Sequence, residues 1–160
     1  MKVEIVSAFG RVDDVLALLK EYTDMLLEQG DEVRQCLSTQ HVDDELQDLS
    51  RKYAPPSGRL YLALVDGKVA GCVGLTRNDD YYCEIKRLYL RPEYRGLHLS
   101  RKLVDQVVHD AREIGYRHMR LDTFPFMESA IHLYEKYGFT YIERYNDNPA
   151  GSALFMELAL

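Results

Sequence analysis

The stretch Lys86-Arg87-Leu88-Tyr89-Leu90-Arg91-Pro92-Glu93-Tyr94-Arg95-Gly96-Leu97-His98-Leu99-Ser100-Arg101-Lys102-Leu103 reads as a strand ending at Pro92, a tight loop, and a helix opening near Leu99. Upstream, Tyr82 to Leu90 continues the strand after the polar turn Asn78-Asp79-Asp80. Before that, Leu60–Val65 and Val69–Leu75 flank Asp66-Gly67-Lys68, and two β-rich runs around an Asp-Gly turn predict a hairpin. Downstream, Leu99, Leu103, Val107, Ala111 and Ile114 form one helical stripe closed by Gly115. Met119–Thr123 then reads as a strand, Glu128–Tyr137 as a helix stopped by Gly138, and Thr140–Tyr145 and Ala153–Leu158 as two last strands. At the other end, Met1–Val6 alternates as a strand, and a helix runs from Asp13 to about Glu28 on Val15, Leu18, Leu19, Tyr22, Met25 and Leu26. Gly30 is its stop, and Val42 to Tyr53 reads as a second, weaker helix before Ala54-Pro55-Pro56-Ser57-Gly58. The expected fold class is α/β (α+β): a mixed, largely antiparallel central sheet flanked by helices, in one domain spanning residues 1–160.

The composition is that of an ordinary folded domain: 46% hydrophobic and 29% charged over 160 residues. No apolar run is long enough to cross a bilayer, and the N-terminal segment lacks the apolar core of a secretory signal. Cys36, Cys72 and Cys83 are scattered and odd in number, which argues for buried thiols in a reducing compartment. A metal site is therefore not expected, and the expected location is cytoplasmic. The net charge of −6 is uneven: residues 1–50 carry twelve acidic and four basic residues, a balance of −8. Residues 51–160 carry fourteen acidic and sixteen basic residues, with Lys86, Arg87, Arg91, Arg95, Arg101 and Lys102 in one stretch. A nucleic-acid partner would call for a basic domain, so none is expected.

The loop before the helix that opens near Leu99 has the makings of an anion site. Free N–H groups and the positive dipole end meet at a helix start, and Arg95, Arg101 and Lys102 add charge. A solvated basic loop ahead of a surface helix is the alternative. Leu88-Tyr89-Leu90-Arg91-Pro92-Glu93-Tyr94-Arg95-Gly96 resembles the strand and pyrophosphate loop (Arg/Gln-x-x-Gly-x-Gly/Ala) of the GNAT superfamily of N-acetyltransferases. Leu133-Tyr134-Glu135-Lys136-Tyr137-Gly138-Phe139 resembles that family's Leu-Tyr-x-x-x-Gly-Phe helix end, and the order of elements matches over nearly the whole chain. The loop departs from the pattern where glycines are expected, at His98 and Ser100, and Met127 stands where an Asn is often found. Ser100 either caps the helix or adds a hydroxyl contact; His98 either contacts a phosphate or is an exposed loop side chain.

The resemblance implies acetyl-CoA as co-substrate, with no metal, and direct transfer of the acetyl group to an amine in a ternary complex. It implies a cofactor site of Leu88, Tyr89, Leu90, Arg95, Gly96, Leu97, His98, Leu99, Ser100 and Arg101, with strand backbone holding the pantetheine arm. Tyr134 matches the family's proton donor to the departing thiolate; core packing on its apolar helix face is the competing reading. Glu84, four residues before Leu88, is the candidate general base, against a plain strand carboxylate paired with Lys86 or Arg87. Residues 84, 86 and 88 share a face unless a bulge intervenes. Tyr145 and Asn148 are candidates for the acceptor pocket, or simply turn residues. The acidic first third, with Asp43, Asp44 and Glu45, points to a small cationic acceptor drawn by that field, or to a solubilised helix face. A non-catalytic acyl-CoA-binding or regulatory module on the same fold is the alternative function. A homodimer through sheet edges is compatible with either.

Overall fold

The computed structural model describes residues 1–39 and 42–160, and the side chains of 1–38 and 44–160. Seven strands form one sheet: β1 Val3–Ser7, β2 Arg59–Val65, β3 Lys68–Arg77, β4 Tyr82–Leu90, β5 His118–Thr123, β6 Thr140–Ile142 and β7 Leu154–Ala159. Their spatial order is β1-β2-β3-β4-β5-β7-β6, and only the β4–β5 pair is parallel. The largely antiparallel expectation therefore holds. The β2–β3 hairpin turns on Asp66 and Gly67, at φ 50° and 79°, the positive pair that a two-residue turn of matching twist requires.

Among the described residues, six α-helices accompany the sheet: α1 Val12–Leu27, α2 Asp31–Thr39, α3 Val42–Gln47, α4 Ser50–Tyr53, α5 Leu99–Ile114 and α6 Glu128–Tyr137. Helix α5 buries Leu99, Leu103, Val104, Val107, Val108 and Ala111 against one face of the sheet, beside Tyr134 and Phe139. Helices α1 and α4 cover the other face, with Leu18, Leu19 and Tyr53 against Leu60, Leu62 and Cys72.

The single helix expected from Val42 to Tyr53 is two, because the Asp48 carboxylate accepts the Ser50 N–H at 3.1 Å and starts α4 anew. Helix α2 was absent from the sequence reading. Its buried stripe is only Val33, Cys36 and Leu37, too short to stand out as a period, and it is held by packing on Leu26, Phe124 and Ala150. The strand expected at Thr140–Tyr145 stops at Ile142; from there the chain turns to satisfy its polar groups locally, Arg144 bonding the carbonyl of Ala150 at 2.8 Å.

Charge explains how the acidic first third docks. Glu21 of α1 holds Arg91 at 2.7 Å, and Glu45 of α3 holds Arg87 at 2.8 Å. The acidic front and the basic centre are thus partly each other's counterions. Cys36, Cys72 and Cys83 are buried.

Candidate functional site

Strands β4 and β5 run together only from Tyr82↔His118 to Glu84↔Arg120 and then part. From Ile85 onward, the β5-side edge of β4 borders a split in the sheet. Arg91 gives its N–H to the Ala70 carbonyl on β3, so by alternation the backbone groups of Leu90 and Leu88 face the split, and those of Tyr89 face β3. Of the strand backbone expected to hold a pantetheine arm, Leu88 and Leu90 are therefore available and Tyr89 is not.

A bulge in β4 sets which side chains follow. The β3–β4 register slips between Cys72↔Tyr89 and Gly74↔Lys86, and Arg87 sits at φ 58°. The slip turns Arg87 onto the face of Glu84 and Lys86, and Leu88 onto the opposite one, with the α5 core. The expectation that residues 84 and 88 share a face fails for that reason. Gly71 opposes Leu90 in this ladder, and a Cβ there would come within 2.4 Å of the Tyr89 carbonyl oxygen.

Two connected spaces occupy the split. The outer one is a groove of ≈ 870 Å³ between β4, the loop before α5 and the start of α6. Every residue expected at the cofactor site lines it except Leu97, whose side chain packs against the core. Lys102 is the first residue of α5 whose N–H reaches a backbone carbonyl, that of His98. The N–H groups of Leu99, Ser100 and Arg101 thus remain open toward the groove. Arg95 is exposed there, one amine resting 3.3 Å from the Leu90 carbonyl, whereas Arg101 lies over Tyr137 and bonds Asp105.

His98 occupies the N-cap position of α5 at φ 60°, ψ 23°, the left-handed conformation that a glycine adopts freely. Ser100 lies inside the first turn and is not the cap. The glycine-shaped backbone is present without the glycine. His98→Gly is accordingly expected to keep both stability and cofactor affinity. His98→Val should cost about 1–2 kcal/mol, since a β-branched residue resists this φ. Thermal unfolding of the two variants checks the contrast.

The inner space is a chamber of ≈ 50 Å³ reached past Leu88, Met127 and Ala130, which line both spaces. Tyr22, Cys36, Lys86, Arg87, Asp122, Phe124 and Tyr134 complete much of its wall. Tyr134 is buried, and burial, then the charges of Tyr22 and Asp122, push its phenol well above the ordinary value. It stays a protonated hydroxyl at neutral pH. Burial raises the Cys36 thiol to about 11, with Asp122 adding to the effect.

Glu84 is not on this wall. It is buried, accepts the Asn78 amide at 3.1 Å, and stands 3.6 Å from Lys86. The carboxylate on the wall is Asp122, whose Oδ2 accepts the amides of Asn146 and Asn148 at 2.9 and 3.2 Å. Asn148 therefore orients Asp122 from behind, and Tyr145 packs edge-on to Phe155; neither lines the chamber. Asp122 and Lys86 were missed as wall residues, because only the parting of the strands aims them into the split. Glu45 is also removed from the expected acceptor field: it is buried, bidentate with Arg87 and bonded to Lys52 at 3.0 Å. Asp44 is exposed, and the side chain of Asp43 lies outside the described residues.

The Acetyltransferase (GNAT) family profile matches residues 19–139, which include the split strand, the loop before α5 and the Tyr134 helix. The chain belongs to this family. An uncharacterized N-acetyltransferase of Schizosaccharomyces pombe is 38% identical over 151 residues, covering 93% of this chain and 88% of that protein. Among solved structures, an acetyltransferase from Streptococcus agalactiae superposes with a TM-score of 0.79 at 22% identity, covering 99% of this acetyltransferase and 98% of its own chain. The PaiA N-acetyltransferase of Thermoplasma acidophilum, solved with coenzyme A, superposes at 0.74 with 20% identity over the full length of both chains. No helix among the described residues of this GNAT protein is long and apolar enough to cross a membrane, and no cluster of three or more His, Cys, Asp or Glu could hold a metal ion.

Proposed function

We propose that residues 1–160 form one N-acetyltransferase domain that moves the acetyl group of acetyl-CoA directly onto a small amine, cationic in solution. The observation carrying this reading is the junction of a long groove, floored by open helix N–H groups, with a small chamber holding a buried phenol and a carboxylate. The groove suits acetyl-CoA, with its pyrophosphate on the N–H groups of Leu99, Ser100 and Arg101 beside Arg95. Coenzyme A in the similarly folded Thermoplasma acidophilum enzyme supports that reading.

The pantetheine arm lies along the free edge of β4, bonded to Leu88 and Leu90 as an added strand would be. An N–H on that edge polarises the thioester oxygen; it is fixed in place and needs no reorganisation. The ammonium of the acceptor gives a proton to Asp122, which takes the base role expected of Glu84. The neutral amine attacks, the C–N bond forms, the C–S bond breaks, and Tyr134 protonates the departing sulfur. Nitrogen loses two protons in all and sulfur gains one, so each turnover releases one proton.

Calorimetric titration with acetyl-CoA tests the first half. Micromolar binding is expected, weakened roughly 10- to 100-fold by Arg95→Ala, the usual loss for a hydrogen bond to a charged group. An amine screen by thiol release tests the second half. Absence of acetyl-CoA binding would end the proposal; binding without turnover of any amine would leave an acyl-CoA-binding module.

A further inference from the structure

Three charged residues line the inner chamber: Lys86, Arg87 and Asp122. Arg87 is engaged in a bidentate pair with Glu45. Lys86 differs. Its side chain is 10% exposed, its nearest carboxylate oxygen is Glu84 Oε2 at 3.6 Å, and its ammonium makes no hydrogen bond among the described residues. An ammonium ion-paired with Glu84 but without a hydrogen bond, on a residue that lines a cavity, keeps donors for an acceptor from outside the chain.

The charges around it reinforce the point. Lys52, Lys86 and Arg87 gather about Glu45 and Glu84, and Lys86 meets only Glu84 among the described residues. The pKa of Lys52 is lowered, by burial first and by the charge of Lys86 next. Asp122, by contrast, has no ion-paired base among the described residues; its Oδ2 is held by the amides of Asn146 and Asn148. Lys86 lies on β4 and Asp122 on β5, the strands that part after Glu84↔Arg120. The split therefore carries an ammonium on one lip and a carboxylate on the other, and Cys36 lies within the field of both.

We infer that Lys86 binds a carboxylate of the acceptor, so that the substrate class is a small zwitterionic amine, an amino acid. This rests on the proposed acetyl transfer and deepens it. The acceptor's ammonium goes to Asp122, within reach of the thioester, and its carboxylate to Lys86. A chamber of ≈ 50 Å³ favours a compact acid over a large polycation. Glu84, itself held by Asn78, aims Lys86 as a positioning residue.

The test compares matched pairs, glycine with glycinamide and β-alanine with β-alaninamide, extended to larger amino acids and their amides. Rates are taken with acetyl-CoA by thiol release at a pH where acid and amide are both almost wholly ammonium, the form that meets Asp122. Wild type is expected to prefer the acid about 10-fold or more in kcat/KM, as a charge-assisted hydrogen bond implies. Lys86→Met should bring that ratio near one, Lys86→Arg should keep a preference, and Glu84→Gln should raise KM for the acid more than it lowers kcat. Equal use of acid and amide by wild type overturns the inference, as does a Lys86→Met variant that loses both alike while Lys86→Arg does the same. Should acetyl-CoA bind but no amine turn over, the transfer reading fails on its own. The same pairs are then titrated against the acetyl-CoA complex by NMR. Binding of the acid alone, abolished by Lys86→Met, supports the Lys86 assignment; no difference between acid and amide overturns it.

Discussion

Tyr134→Phe is expected to lower kcat by about 10²-fold or more while leaving the acetyl-CoA dissociation constant within a factor of a few. The reasoning is positional. Tyr134 lines the inner chamber and not the outer groove, so the phenol is not needed to hold the cofactor's phosphates. Burial pushes its pKa up, which keeps the proton on oxygen at neutral pH and makes it a weaker acid toward the thiolate than a free phenol, so the effect rests on its position. A thiolate leaving without that proton forms less readily, and the collapse of the tetrahedral species slows. Calorimetry gives the affinity, and thiol release under saturating acetyl-CoA gives kcat. An unchanged kcat would return Tyr134 to the role of a core side chain packed on Phe139. Phe is the appropriate replacement because it keeps that packing and removes only the hydroxyl.

Glu45→Ala is expected to destabilise the protein by about 3–5 kcal/mol, the usual result of stranding one partner of a buried ion pair. Glu45 is 6% exposed and accepts two bonds from Arg87 and one from Lys52. Removing it leaves Arg87 buried in the chamber wall beside Tyr22 and Tyr53 without its main counterion. For a chain of this length the midpoint should fall by roughly 6–20 °C. A Glu45→Leu, Arg87→Met double variant should recover much of the loss, because the one cation it leaves unpaired, Lys52, is 36% exposed and reaches water. A double variant no better than the worse single one would refute the pairing argument.

The same pair makes stability depend on pH in a defined direction. Burial alone would raise the Glu45 carboxyl, but the charge and hydrogen bonds of Arg87, then Lys52, outweigh it and lower the pKa to about 2, from an ordinary 4.5. The folded value lies below the unfolded one. Its contribution is therefore complete above about pH 4.5 and is lost as pH falls toward about 2. Comparing wild-type and Glu45→Gln unfolding midpoints between pH 6 and pH 3 isolates this term: the gap between them should narrow on acidification.

Much of the architecture was written locally. Strand β4 and helices α5 and α6 were legible to the residue, because each combines a clear period with a punctuating Pro or Gly: Pro92 after the strand, and Gly115 and Gly138, at φ 109° and 112°, after the helices. The Asp66-Gly67 turn and the groove-lining loop before α5 were legible for the same reason, since turn and helix-start chemistry act over a few residues. Helix α2 was not, having three apolar positions and no tertiary information to show that Leu26, Phe124 and Ala150 would cover them.

The inner chamber belongs to the tertiary structure alone. Which face Lys86, Arg87 and Leu88 take depends on a one-residue bulge that only the β3–β4 register defines, and periodicity cannot count through it. Glu84 was the carboxylate that the family resemblance suggested, but it lies where β4 is still paired with β5, before the split opens. Asp122 was not suggested, because its position matters only once β5 has turned away from β4. The acidic first third likewise read as a field for a cation, until packing joined Glu21 to Arg91 and Glu45 to Arg87. The sequence by itself determined the elements, the family and the cofactor-side loop, all set by contacts a few residues apart. Only the tertiary structure decided which charges face the acceptor, because those charges are spent or left over according to partners 42 and 70 residues away.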